Sequence, residues 1–404
     1  MTIDLEALYT DLHRHPELSF QETRTAGIAA AHLRDLGLEV EEGVGITGVV
    51  GILRNGDGPA VWARADMDAL PVEELTGLPY ASTATGIDPS GNTVPIMHAC
   101  GHDMHVTAMI GAVERLVAER DEWSGTLVVL IQPAEEYGAG ARAMLDAGIL
   151  DRCPKPDIVL GQHVTPLPAG LIGVRPGPQM AAADGIAVTL HGRGGHGSRP
   201  HTTIDPVVMA AATVMRLQTI ASRELDPREV GVVTVGSIHA GTKSNIIAAD
   251  ATLELSLRYP DDEARERVLA SVERIVRAEA MASGAEREPE FRTEHTLPPT
   301  INDADATARV VEALNGVLGD GAVIDPGMFT GSEDVSWFAR DAGAPLVFWF
   351  WGGVDPDTFA AAEAAGTVAS SIPTNHSAYF APVPHPTIEV GVTAMATAVR
   401  EFLG

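Results

Sequence analysis

The chain has 404 residues, a length at which a single hydrophobic core gives way to two domains. With 45% hydrophobic and 20% charged residues it has a globular composition, without an apolar run approaching the ~18 residues of a membrane span. A formal net charge of −28 argues against a nucleic-acid partner, and 2 cysteines exclude a disulfide framework.

The N-terminal part of the chain alternates helices with short buried strands. Its first residues are acidic and polar and lack the pattern of a secretory signal, so we expect a cytoplasmic protein. Helical periodicity over 5–36, interrupted at Pro16, is followed by a strand at 60–65 and a helix at 104–118, with Asp103 as the predicted N-cap. Strands at 125–131 and 158–160 complete the pattern. This alternation predicts an α/β layer with a mostly parallel sheet.

Polar residues follow three of these predicted strands. Asp68 comes after the first, Glu135 and Glu136 after the second, and His163 after the third. Ligands of parallel α/β sheets gather outside the carboxyl ends of the strands, so we expect these side chains to converge there.

The middle of the chain has a different pattern. Its predicted elements, in the order strand, helix, strand, strand, helix, strand, lie at 186–191, 206–221, 230–239, 251–259, 262–283 and 288–292. This βαββαβ order matches the ferredoxin-like unit, which can stand as an inserted domain. We therefore predict a discontinuous catalytic domain at 1–182 and 293–404 and an inserted domain at 183–292. The α/β layer resumes with a helix at 304–318, a strand at 344–351 and a helix at 389–402.

Residues 97–105 concentrate metal-binding side chains, with three histidines, Cys100 and Asp103 in nine positions. A thiolate beside an imidazole such as His102 suits zinc, cobalt or manganese-type sites better than Ca²⁺ or Mg²⁺. The alternatives are a cluster of core histidines and a nucleophilic Cys100 paired with His102.

The adjacent Glu135 and Glu136 repel each other unless a cation or a raised pKa relieves the charge. Neighbouring side chains diverge, so one carboxylate can bind a metal while the other serves as general base. A pair of surface glutamates is the alternative interpretation. His163 and His376, taken singly, are also compatible with purely structural roles.

Several motifs together give the chain a resemblance along nearly its whole length. The sequence resembles the metallopeptidase family of carboxypeptidase G and aminoacylases, in particular its amidohydrolase branch of hippurate hydrolases, N-acyl-amino-acid deacylases and auxin-conjugate hydrolases. The motifs are DLHRHPELSFQE at 11–22, RADMDALPVEE at 64–74, MHACGHDMH at 97–105, QPAEE at 132–136, GQHVTPLPAG at 161–170, GRGGHGSRPH at 192–201, GSEDVS at 331–336 and NHS at 375–377.

The resemblance implies a role for each matching residue. It implies two divalent ions, zinc, manganese or cobalt, held by Cys100, His102, Glu136, His163 and His376. Glu135 is then the general base, and Asp68 orients that base or a ligand. In the inserted domain, implied to be a lid and dimerisation domain, His196 would stabilise the oxyanion from a partner subunit, and Asn245 and Arg258 would hold the substrate carboxylate. An aspartate of a strand-end turn is the alternative for Asp68, and a surface charge for Arg258.

The implied function is hydrolysis of the amide bond of small N-acyl amino acids by a homodimer or larger homo-oligomer. A dipeptidase or carboxypeptidase on the same metal centre is the nearest alternative, and an inactive binding protein is another. Two departures from the family pattern, Ala248 for its usual proline and Val335 for its usual phenylalanine, concern the substrate pocket.

Overall fold

A computed structural model describes residues 2–226, 228 and 230–404. The chain divides into two compact units: Met1–Gln179 with Ile301–Gly327 and Asp334–Gly404, and Met180–Thr300 with Met328–Glu333. The assignment of the insertion as a lid or dimerisation domain stays a prediction. No helix in the described part of the chain is long and apolar enough to cross a membrane.

Helices and strands follow one another along the whole described chain. The helices are α1 Leu5–Arg14, α2 Thr23–Asp35, α3 His102–Ala118, α4 Gly140–Asp146, α5 Ile149–Arg152, α6 Pro206–Thr219, α7 Asp262–Ala282, α8 Ala304–Leu318, α9 Ser336–Ala342, α10 Pro356–Ala365, α11 Val368–Ser371 and α12 Pro384–Phe402. The strands are β1 Glu39–Val44, β2 Gly48–Asn55, β3 Ala60–Asp66, β4 Thr85–Ile87, β5 Thr93–Pro95, β6 Gly125–Gln132, β7 Ile158–Pro168, β8 Ile172–Gly173, β9 Gly177–Met180, β10 Ala182–His191, β11 Gly195–His196, β12 Val232–Ala240, β13 Ile246–Ile247, β14 Asp250–Tyr259, β15 Glu290–Leu297, β16 Thr300–Asn302, β17 Val323–Ile324 and β18 Leu346–Val354.

The first unit is built on a sheet of order β1-β2-β6-β3-β7-β18-β8-β17. Its centre is parallel: β3 pairs with β6 and β7, and β18 pairs with β7, all in parallel register. The antiparallel pairs β1 with β2 and β2 with β6 lie toward one edge. These central strands are apolar because helices cover both faces of such a sheet. The predicted fold class, a mostly parallel α/β sheet, is confirmed.

The second unit contains the sheet β12-β14-β10-β15, in which all neighbours are antiparallel. With α6 after β10 and α7 after β14, this is the predicted ferredoxin-like βαββαβ order. Helix α7 buries one stripe on the sheet, including Val268, Val272 and Val276, at the helical spacing.

Two local predictions were wrong. Helix α3 begins at His102 after Gly101, so Asp103 is not its N-cap. Gly101 has φ +80, and a Cβ there would lie 2.5 Å from Val164 Cγ1, so both the conformation and the close approach require glycine. Strand β7 continues to Pro168, which places His163 inside the strand and not after it.

Candidate metal centre

The carboxyl ends of the central strands bring the predicted metal ligands together. Asp66 lies opposite Gln132 in the register of β3 and β6, so the segments that follow these strands leave the sheet side by side. Asp68 follows one and Glu136 the other. Helix α3 begins with His102, whose side chain lies beside Asp68 and Glu136.

One group of three side chains and two further pairs define the centre. Cys100, His102 and Glu136 each offer a ligand-type atom, and these atoms lie within 4.8 Å of one another. His163 Nε2 is 3.4 Å from Cys100 Sγ, and His376 Nε2 is 3.3 Å from Glu136 Oε1. All five side chains predicted as metal ligands therefore meet in one place, in the first compact unit.

Asp68 contacts two parts of this centre. Its Oδ1 is 3.2 Å from His102 Nδ1 and accepts the Glu135 backbone N–H, while its Oδ2 accepts the Glu136 backbone N–H and the Ser19 hydroxyl. A carboxylate on Nδ1 fixes the tautomer of a histidine that binds metal through Nε2. Asp68 thus contacts both the ring of His102 and the backbone that carries both glutamates, and its orienting role stays a prediction.

His163 and His376 are held by main-chain contacts. His163 Nδ1 donates to the Val164 carbonyl at 2.7 Å, which leaves Nε2 as an acceptor facing Cys100. His376 has φ +70, and its N–H donates to the Ala99 carbonyl at 2.7 Å. The neighbouring Asn375 amide donates to the carbonyls of Cys100 and Val164, so one side chain ties both segments together.

The donor set fits divalent cations. His102 Nε2 and Glu136 Oε1 are buried and make no hydrogen bond of normal geometry with the described residues; their charged neighbours are Asp66 Oδ2 at 3.4 Å and His376 Nε2 at 3.3 Å. Buried polar atoms without a hydrogen bond are costly unless something binds them. Burial, then the charges of Glu136 and Glu135, raise the pKa of Cys100 far above its usual value, so its thiolate form requires a nearby cation. Burial lowers the pKa of His102, but Asp66, Asp68 and Glu136 together raise it to about 10. The carboxylates around His102 therefore favour positive charge at this place, on the imidazole or on a bound cation.

A second group of metal-type side chains also has its ligand-type atoms within 4.8 Å of one another: Asp66, His102, His105 and His163. His105 is a poor ligand because both its nitrogens are used: Nδ1 donates to Asp66, and Nε2 accepts the Val164 N–H at 2.9 Å. Burial alone would raise the pKa of Asp66, but Arg64 and the neighbouring histidines hold it well below its usual value. These contacts indicate that Asp66 and His105 lie next to the centre as hydrogen-bonding neighbours of the ligand-type residues and not as ligands themselves.

A buried arginine network was missed from the sequence. Arg64 is fully buried in β3 and donates to Asp66, Gln132 and Asp334 at 2.8–3.2 Å. Asp334 also accepts from the Gln132 amide and the Ala141 backbone. The available signal was a pair of opposite charges two positions apart, on one face of an otherwise apolar strand.

The turn after β6 carries Glu135 and Glu136 and has a second buried support. Glu22 is fully buried, and its Oε1 accepts the Ala134 N–H at 2.9 Å. Burial and then the charge of Asp68 raise the pKa of Glu22 to about 7. The role of Glu135 as general base stays a prediction.

The second unit holds the other three predicted residues. His196 is exposed, and its Nδ1 accepts the Ser198 backbone N–H at 3.1 Å, so the proton of the neutral ring lies on Nε2. Asn245 adjoins it, since the Asn245 carbonyl accepts the Gly197 N–H at 2.8 Å. Arg258 donates to the Ser332 hydroxyl at 2.5 Å, and burial lowers its pKa. The roles of these three residues stay predictions.

Similarities to known proteins extend over most of the chain. The sequence profile of peptidase family M20/M25/M40 matches residues 62–380. The chain is 38% identical over 346 residues to thermostable carboxypeptidase 1 of Saccharolobus solfataricus, covering 84% of each protein. It is 36% identical over 358 residues to N-acetyl-L-cysteine deacetylase of Bacillus subtilis, covering 86% of this chain and 79% of the relative. A solved Bacillus subtilis structure, described as a dinuclear metal-binding peptidase from the M20 family, is 30% identical with a TM-score of 0.79, covering 99% of this chain and 98% of that one.

Proposed function

The chain belongs to peptidase family M20/M25/M40, whose members hydrolyse amide bonds, and we propose that it is a metal-dependent deacylase of small N-acyl amino acids. The observation that carries the proposal is the meeting of Cys100, His102 and Glu136 with two further histidines in a buried place, where His102 Nε2 and Glu136 Oε1 make no hydrogen bond of normal geometry with the described residues. Products would be a carboxylic acid and a free amino acid.

Two divalent ions, zinc, manganese or cobalt, would be held by Cys100, His102, Glu136, His163 and His376. When bound, they would supply Lewis acidity toward the attacking water and the amide carbonyl. Glu135 takes a proton from the water and returns it to the leaving nitrogen. Asp68 keeps the ring of His102 and the backbone of Glu135 in place during both transfers.

The substrate contacts proposed for the second unit follow from donor chemistry. Arg258 offers a guanidinium whose paired N–H groups match a carboxylate, and Asn245 offers an amide. His196 would donate its Nε2 proton to the oxygen on which negative charge develops, as an oxyanion donor must. The contact between His196 and Ser198 supports this role because it keeps the proton on Nε2.

A screen of amide substrates tests the proposal. Metal-free protein reconstituted with zinc, manganese or cobalt should hydrolyse N-acetyl and N-benzoyl amino acids and discriminate strongly against the matching amino acid amides, which lack the carboxylate. Conversion of dipeptides or C-terminal peptide bonds at a higher kcat/KM would favour the second candidate, a carboxypeptidase or dipeptidase. That candidate is favoured by the similarity to thermostable carboxypeptidase 1.

Retained activity after full removal of metals would contradict the metal-dependent function altogether. Such a result would favour a hydrolase that uses Cys100 as nucleophile. Loss of activity after alkylation of the thiol would test that alternative. The homodimer and the cytoplasmic location belong to the proposal as well. Light scattering of the purified protein and fractionation of cells test them.

A further inference from the structure

The turn after β6 has a strained backbone at the residue that precedes the two glutamates. Ala134 has φ +47, in the left-handed region where Cβ crowds the following carbonyl oxygen. Glu135 and Glu136 follow directly, so the conformation of Ala134 sets the direction in which both side chains leave the chain. Something in the fold must hold this residue in place.

Glu22 makes the contact that does so. Its Oε1 accepts the Ala134 N–H at 2.9 Å and the Phe20 N–H at 2.9 Å, and its Oε2 accepts the Thr47 hydroxyl at 2.5 Å. Phe20 has φ +61, and Ile46, next to Thr47, has φ +86. The carboxylate of Glu22 therefore joins three segments, each with a non-glycine residue in the left-handed region.

Asp68 continues the same arrangement along the turn. It accepts the N–H groups of Glu135 and Glu136, so three successive backbone N–H groups end on the buried carboxylates of Glu22 and Asp68. Ser19, from the same segment as Glu22, donates to Asp68 at 2.6 Å. The segment between α1 and α2 is thereby connected to the turn through both carboxylates.

We infer that Glu22 is a positioning residue that holds Ala134 in its left-handed conformation and so sets the directions in which Glu135 and the ligand-type residue Glu136 leave the turn. This inference rests on the proposed function for its effect on catalysis. Its effect on the turn itself rests on geometry alone. Loss of Glu22 should therefore disturb the proton transfer and the metal ligand more than substrate binding.

The substitution Glu22→Ala removes the carboxylate, and Glu22→Asp shortens the side chain that carries it. Glu22→Gln keeps an oxygen that can accept the N–H groups of Phe20 and Ala134. We expect the first two to lower kcat by about 10- to 100-fold, the usual loss when a group that orients metal ligands is removed, with KM changed less than about threefold. Glu22→Gln should retain most of the activity.

Glu17→Ala is the matched control. Glu17 lies in the same segment and accepts the N–H groups of Arg24 and Thr25 at the start of α2, without a described hydrogen bond to the turn. The substitution Glu17→Ala should leave kcat within about threefold of wild type if Glu22 acts through Ala134.

A second readout does not depend on activity. Hydrogen exchange of metal-free protein, followed by mass spectrometry of peptides covering 133–140, should be faster in Glu22→Ala and Glu22→Asp and unchanged in Glu17→Ala. Adding Ala134→Gly to Glu22→Asp should recover part of the lost kcat, because glycine adopts positive φ without the Cβ clash. If Glu22→Ala does not fold, Glu22→Asp carries both measurements.

Equal losses of kcat in the Glu22 and Glu17 variants, or unchanged exchange over 133–140 in Glu22→Asp, would overturn the inference. If wild type lacks deacylase activity, the exchange experiment still decides on Glu22, and the proposed function alone fails.

Discussion

His13 predicts a specific pH dependence of stability. Its ring is fully buried between two carboxylates, with Nδ1 at 2.6 Å from Asp103 and Nε2 at 3.1 Å from Glu74. Burial lowers the pKa of His13, but the charges and hydrogen bonds of Asp103 and Glu74 outweigh it and raise the pKa to about 9. The pKa values of both carboxylates are lowered correspondingly, so the three groups agree in direction.

The raised pKa of His13 fixes the sign and size of its effect on stability. A pKa of about 9 in the folded protein against 6.5 in the unfolded chain corresponds to about 3 kcal/mol. Because the folded pKa is the higher one, this contribution is fully present below about pH 6.5 and is lost as the pH rises through about 9. The imidazolium therefore stabilises the first unit most in mildly acidic and neutral solution.

The substitution His13→Gln removes the titrating group and keeps some hydrogen bonding. Urea unfolding of metal-free protein should be followed between about pH 6 and 10, since metal binding has its own pH dependence. The difference in unfolding free energy between wild type and His13→Gln should shrink by up to about 3 kcal/mol across this range. His15→Gln, at an exposed site on the same helix end, is the control. A difference between wild type and His13→Gln that stays constant with pH would refute the reasoning.

Three further predictions concern the site. Glu135→Gln should abolish turnover while the metal content stays near wild type; loss of metal in Glu135→Gln, with metal kept in Glu136→Gln, would exchange the two roles. Cys100→Ser should weaken metal binding because a thiolate is replaced by a poorly ionised hydroxyl, and unchanged metal stoichiometry and activity would make Cys100 a core residue. His196→Ala should lower kcat by ~10²–10³ with little change in KM or metal content, the usual cost of losing an oxyanion donor. Mixing His196→Ala with Glu135→Gln subunits should restore activity if His196 acts in a partner subunit, and no recovery after verified subunit exchange would exclude that mode of action.

The sequence alone was sufficient for the fold class and for the set of residues that meet at the centre. Strands buried on both faces appear as short apolar runs and amphipathic helices as a period of 3.6 residues, and both patterns are visible locally. Cys100 and His102 could be singled out because three histidines and a cysteine are concentrated in nine positions, and Glu136 because it belongs to a pair of glutamates after a predicted strand. Motif resemblance added His163 and His376, which would have been ambiguous one at a time.

The tertiary structure decided how these residues are held. Asp103 was predicted as a helix cap, but its carboxylate is bound by His13, which is 90 positions away in the chain. The predicted end of the strand before His163 was too early, because β18 pairs with β7 beyond His163. The contact of Arg64 with Asp334, 270 positions away, and the contacts of His105 with Asp66 and Val164 follow no local pattern.

This division between sequence and tertiary structure reflects how far apart in the chain the interacting residues are. Hydrophobic periodicity depends on neighbours within one or two turns of chain, so it can be read from the sequence. The charge on Asp66, the proton position on His163 and the left-handed backbone at Ala134 depend on groups that only packing brings within hydrogen-bond distance. Residue types thus determined which chemistry this protein can carry out, and the fold determined the orientation and charge of the groups that carry it.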